Sequence, residues 1–207
     1  MIPAAPFLCV ITDEAFCPVT MAEQALRGGA AMIQLRHKTA SGAQLFAWAV
    51  AIRNLCKEYH ALCIINDRLD IAMASQADGV HLGQNDLPAE AARKVLGKNS
   101  IIGVSASSAA EAIRAEKAGA DYIGFGHIFP TTSKLKGFSP LGTKPLQESA
   151  ALVSLPIIAI GGINLLNAAS LISSGAAGVA VIAAVSRAVE PSRAAREILC
   201  AIKESQR

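Results

Sequence analysis

A chain of 207 residues is long enough for one domain with a sizeable core, and 52% hydrophobic against 17% charged residues excludes a disordered polypeptide. The formal net charge of +3 comes from scattered lysines and arginines, so nothing tracks a nucleic-acid backbone, although a few cations at one pocket suffice for a small phosphorylated ligand. No apolar stretch reaches the length of a bilayer span and no charged n-region precedes the short N-terminal apolar run, so no membrane partner and a cytoplasmic location are expected.

In chain order, eight short apolar runs predict strands: FLCVIT (7–12), AMIQLR (31–36), LCIIND (62–67), GVHLG (79–83), IIGVS (101–105), DYIGFG (121–126), PIIAIGG (156–162) and GVAVI (178–182). Their near-continuous hydrophobicity suits parallel strands covered on both faces. The Ala-rich segments between them have helical spacing, as in Leu45, Trp48, Ile52 and Leu55, or Leu166, Ala169, Leu171 and Ile172. Helix starts are expected after Asp86, after Ser107 and at Pro191. GGAAMIQLR, QADGVHLG, AGADYIGFG and SGAAGVAVI repeat one junction, a small residue leading into a strand. An eightfold strand–helix alternation with such junctions predicts an α/β fold, a closed (β/α)8 TIM barrel in one domain over 1–207. An open doubly wound sheet is disfavoured because no G-x-G-x-x-G follows the first strand. Cys9, Cys17, Cys56, Cys63 and Cys200 are odd in number and lack C-x-x-C spacing, so they read as reduced core thiols.

A barrel gathers all C-terminal strand ends at one mouth, so the polar residues there are the candidate site. The second strand runs into QLRHK, where Gln34, Arg36 and Lys38 alternate with a period of two. The third and fourth end in Asn66-Asp67 and in Asp86. Each of these has a capping explanation, but neighbouring strands would also pair the two aspartates as hard oxygen ligands of the kind Mg²⁺ shares with substrate phosphates. The fifth offers Ser105. The sixth runs into GHIFPTTSKLKG, with Thr131, Thr132, Ser133 and Lys134 between glycines. Gly161, Gly162, Ile182 and Ala183 stand where barrels hold phosphate on backbone N–H groups, with simple turn chemistry as the other explanation for the glycine pair. A cation-rich region and a backbone-lined one imply a diphosphate and a monophosphate substrate.

QLRHK, INDRLDIA, ADGVHLGQNDLP, IIGVSAS, GADYIGFGHIFPTTSK, IAIGGIN and GAAGVAVIAAV resemble, in order and across nearly the whole chain, the thiamine phosphate synthase family and its thiazole tautomerase relatives. The resemblance implies coupling of 4-amino-2-methyl-5-(diphosphooxymethyl)pyrimidine with thiazole phosphate to give thiamine phosphate and diphosphate. It further implies that Gln34, Leu35, Arg36, His37, Lys38, Asn66, Ser105 and Lys134 hold the pyrimidine diphosphate, with Lys134, Arg36, Lys38 and Ser105 as catalytic groups. By the same resemblance Asp67 and Asp86 ligate Mg²⁺, and Thr131, Thr132, Ser133, Gly162, Ile182 and Ala183 receive the thiazole phosphate. Its partners are these small phosphorylated substrates, and a homo-oligomer is compatible with the sequence. His127 stands where the synthase commonly has proline and the tautomerase a histidine that moves a proton at carbon; as a tautomerase the chain would use His127 as its acid and base. Ala183 stands in place of a frequent serine, and Ser107 in place of a frequent histidine. A phosphate-binding barrel without turnover is a third reading.

Overall fold

The computed structural model describes residues 1–131 and 139–205. Its strands are β1 Phe7–Ile11, β2 Met32–Leu35, β3 Leu62–Asn66, β4 Gly79–Leu82, β5 Ile101–Ala106, β6 Tyr122–Gly126, β7 Ile157–Ile160 and β8 Gly178–Val181. All pair in parallel with their sequence neighbours, and β8 closes on β1. The helices are α1 Pro18–Arg27, α2 Gly42–Glu58, α3 Leu69–Ser75, α4 Ala89–Leu96, α5 Ala109–Lys117, α6 Lys144–Leu152, α7 Ala168–Ser173, α8 Ala183–Ser186 and α9 Pro191–Glu204. The closed (β/α)8 barrel is therefore as expected, with strand boundaries within two residues.

Alternation along each strand sorts the apolar residues into two cores. Leu8, Val10, Ile33, Leu35, Ile65 and Val80 pack outward against the helices, while Phe7, Cys9, Ile11, Met32, Ile64, Tyr122 and Ile158 fill the barrel interior. The period of two thus decides which side chains can reach the mouth. In the outer layer, α2 buries Leu45 and Ile52 as its spacing predicts, together with Ala49 and Cys56, while Trp48 and Leu55 flank that stripe partly buried. Cys9, Cys56 and Cys63 are buried, and burial pushes the Cys9 thiol up to about 12. Cys17 and Cys200 are exposed, so these two are not core thiols.

Two helix starts differ from expectation. Ser108, not Ser107, caps α5 by accepting from the Glu111 N–H, while the Glu111 carboxylate turns back to accept from the Ser107 N–H and hydroxyl. That reciprocal arrangement approximates a capping box displaced by one residue. Asp86 caps nothing: α4 begins after Pro88, and the carboxylate instead accepts from the Gly83 N–H at 2.7 Å. Leu166 lies ahead of α7 and is exposed, outside the buried stripe of Ala168, Leu171 and Ile172.

Candidate active site

The C-terminal strand ends surround a cavity whose wall includes Gln34, Arg36, Asn66, His81, Ser105, Tyr122, His127, Thr131 and Ile182. Each is inward-facing on its strand or sits just beyond it. A second, adjoining pocket shares Thr131, Gly161 and Ile182 and adds Gly162 and Ala183. Gly162 has φ +65°, and a Cβ there would lie 2.4 Å from the Pro130 carbonyl oxygen, so this wall is bare backbone. Such a surface can present N–H groups to a phosphate.

Just beyond β2, Arg36 is fixed before any ligand arrives. Its Nη1 donates to Glu14 Oε1 at 2.9 Å, and its backbone N–H donates to Thr12 Oγ1 at 2.8 Å. Lys38 Nζ donates to Asp67 Oδ2, on a half-exposed side chain free to swing toward a ligand. Leu35 points outward into the helix-facing core. His37 accepts the Ala40 N–H at Nδ1 and lies 5.2 Å from the Trp48 ring. The side chains of Leu35 and His37 are thus not brought to the cavity with those of Gln34 and Arg36. Thr132, Ser133 and Lys134 lie outside the described residues.

The capping explanation fails for Asp67 as well as for Asp86. The helix after β3 starts at Leu69 without a side-chain cap. Asp67 takes φ +63° and donates its N–H to the His81 carbonyl at 2.8 Å, which puts its carboxylate at the rim. Aspartate is among the residues that enter this region most readily. The Asp86 carboxyl meets that of Asp67, and its pKa is raised, first by burial and then by this neighbour, with the Gly83 N–H acting the other way. Two carboxylates crowded in this way suit a divalent cation. Among the described residues no cluster of three or more metal-ligating side chains forms, and a pair fits a hard cation that completes its shell with water and phosphate oxygens.

Two wall residues, and one that holds a wall residue in place, are not among the residues expected from the sequence. Glu14 orients Arg36, and His81 and Tyr122 line the cavity from inside β4 and β6. A detectable signal exists for the last two, since each is polar at an inward position of an otherwise apolar strand. His81 Nε2 lies 2.9 Å from Ser105 Oγ, and the Ser105 carbonyl accepts from Gln84 Nε2 at 2.6 Å. No helix among the described residues is long and apolar enough to cross a membrane.

The mouth combines crowded carboxylates, cations and a stretch of bare backbone, and comparisons with known proteins give the family to which such a chain is similar. The family profile described as thiamine monophosphate synthase matches residues 8–185. The thiamine-phosphate synthase of Chlorobium limicola is 60% identical over 199 residues, covering 96% of this chain and 95% of that protein. That of Methanospirillum hungatei is 50% identical over 182 residues, covering 86% and 88%. The structure of a thiamine phosphate pyrophosphorylase from Pyrococcus furiosus superposes with a TM-score of 0.89 at 40% identity, covering 96% of each chain. With a profile match over most of its length and relatives this similar from end to end, the chain belongs to the thiamine monophosphate synthase family.

Proposed function

We propose that this chain is a thiamine-phosphate synthase, a transferase that joins a pyrimidine diphosphate to a thiazole phosphate and releases diphosphate, as the names of its relatives support. In the reaction, the bond from the pyrimidine methylene carbon to the diphosphate oxygen breaks, and its electron pair leaves with the diphosphate. The thiazole nitrogen then gives its lone pair to that carbon, forming the C–N bond. Little proton transfer is needed; the barrier is set by charge on the departing group, which fixed cations lower.

Arg36, Lys38 and Lys134 meet the diphosphate in this reading. Arg36 arrives preset by Glu14, and Lys38 exchanges Asp67 for substrate. Gln34, Asn66 and Ser105 orient the pyrimidine half, and the backbone at Gly162, Ile182 and Ala183, with Thr131, Thr132 and Ser133, takes the monophosphate. Asp67 and Asp86 would hold Mg²⁺, which when bound supplies neutralisation of the leaving diphosphate. The observation that carries the assignment is the crowded carboxylate pair, freed of any capping role, beside Lys38 at the cavity rim.

The test is release of inorganic diphosphate from the pyrimidine diphosphate. It is expected only with thiazole phosphate and Mg²⁺ together. Because His127 lines the same cavity, the parallel assay offers thiazole carboxylate phosphate with no metal. Aromatisation there, with no diphosphate released in the first assay, would overturn the synthase in favour of the tautomerase, and silence in both would favour a binding barrel.

A further inference from the structure

Ser105 is one end of a buried chain of polar groups that crosses three consecutive strands. Its Oγ is 2.9 Å from His81 Nε2, and His81 Nδ1 is 3.0 Å from the Tyr122 hydroxyl. Tyr122 is 1% exposed and His81 9%. The barrel makes room for the chain with two glycines. A Cβ at Gly103 would stand 2.4 Å from the Tyr122 hydroxyl oxygen, and one at Gly124 would stand 2.7 Å from His81 Cε1. A polar chain built into a barrel core at the expense of two side chains is costly unless every member is matched.

Its direction follows from donor counting. Burial holds the Tyr122 hydroxyl well above the usual phenol range, so it keeps its hydrogen. Among the described residues its one hydrogen-bond partner is His81 Nδ1, and a buried O–H turned away from that nitrogen would be left unsatisfied. The Tyr122 hydrogen is then directed to His81 Nδ1. A neutral imidazole carries one hydrogen; with Nδ1 accepting, it sits on Nε2 and is donated to Ser105 Oγ. The Ser105 hydrogen is left to point into the cavity.

We infer that Tyr122 is a positioning residue which, through the tautomer of His81, presents the Ser105 hydroxyl as a hydrogen-bond donor to a lone-pair acceptor on the substrate. This inference rests on the synthase reading for its kinetic consequence only; the tautomer is a property of the chain alone.

The test has a spectroscopic and a kinetic arm. Long-range ¹H–¹⁵N spectra of the full-length protein resolve the ring nitrogens of its four histidines, with His81 assigned by its disappearance in His81→Gln. The Nε2–H tautomer is expected, and a hydrogen on Nδ1 would overturn the inference. Tyr122→Phe keeps the ring and removes the hydroxyl. It should shift the His81 spectrum toward a mixture of tautomers and lower kcat/KM about tenfold. In a Ser105→Ala background the same change should cost nothing further. Multiplying losses, or a Tyr122→Phe enzyme unchanged in both spectrum and kinetics, would overturn it. Should the unmodified protein release no diphosphate at all, the synthase reading falls, while the tautomer still decides the relay.

Discussion

In the proposed reading Lys38 matters for turnover and hardly at all for stability. Its ammonium reaches Asp67 from a half-exposed side chain, where an ion pair contributes about 0–1 kcal/mol. Arg36, by contrast, is tied to Glu14 and anchored through its backbone by Thr12. On that reading the two cations divide the work: Arg36 is preset by Glu14, and Lys38 would exchange Asp67 for a substrate oxygen. Lys38→Ala is expected to unfold at nearly the same temperature as the parent while losing on the order of 100-fold in kcat, the loss typical of removing one electrostatic contact to a transition state. Thermal melts and steady-state diphosphate release, measured on the same sample, check both halves. A large fall in melting temperature with turnover preserved would place Lys38 in the scaffold.

At the level of elements, the repeated small-residue junctions have a common physical origin at the opposite end of the barrel. Ala31, Asp78, Asp121 and Ala177, each just before a strand, donate a backbone N–H to the carbonyl of Leu8, Cys63, Ile102 and Ile157 in the preceding strand. Strands in a closed barrel are staggered, so this residue makes the first rung of each ladder. Where the residue is aspartate, its carboxylate also accepts the strand's N–H, at 2.7 Å from both Cys63 N and Ile102 N. Asp121 is further bound by Arg93, which in turn donates to the Ser100 and Gly119 carbonyls. Asp121→Ala removes the acceptor for Ile102 N and one partner of Arg93 together. A loss of about 1–3 kcal/mol in chemical denaturation is expected, with kcat unchanged well below the melting temperature because the mouth lies at the other end of every strand. A fall in kcat at full folding would show that the two ends of the barrel are coupled.

The whole molecule explains both what was readable in the sequence and what was not. Strands came within a residue or two because both faces are covered and the runs are continuously apolar, and closure followed from their number and junctions. Asp67 and Asp86 were ambiguous because aspartate at a strand end serves equally as a cap; only the positions of Arg68 and Pro88 as the residues flanking α3 and α4 removed that alternative. His81 and Tyr122 are polar in otherwise apolar runs, a signal that becomes specific only once the inward face of each strand is assigned. The pairing of β3 with β4 brings Asp67 and Asp86 together, and in the proposed reading this makes the response to metal depend on pH. The Asp86 carboxyl holds its proton more tightly folded than unfolded, so its contribution to stability is present at acidic pH below the unfolded value and is lost as pH rises through the raised folded value. Mg²⁺ requires the deprotonated pair and relieves its repulsion, so its stabilising effect runs the other way, small at acidic pH and growing toward neutrality. At a concentration about 100-fold above its dissociation constant, binding adds about 2.7 kcal/mol, or roughly 5–10 °C in melting temperature for a chain of this size. Melting curves with and without Mg²⁺ across that pH range should therefore diverge as pH rises in the parent and stay superimposed in Asp86→Asn. A shift that is equal at every pH, or that persists in the variant, would place the cation elsewhere than between these carboxylates.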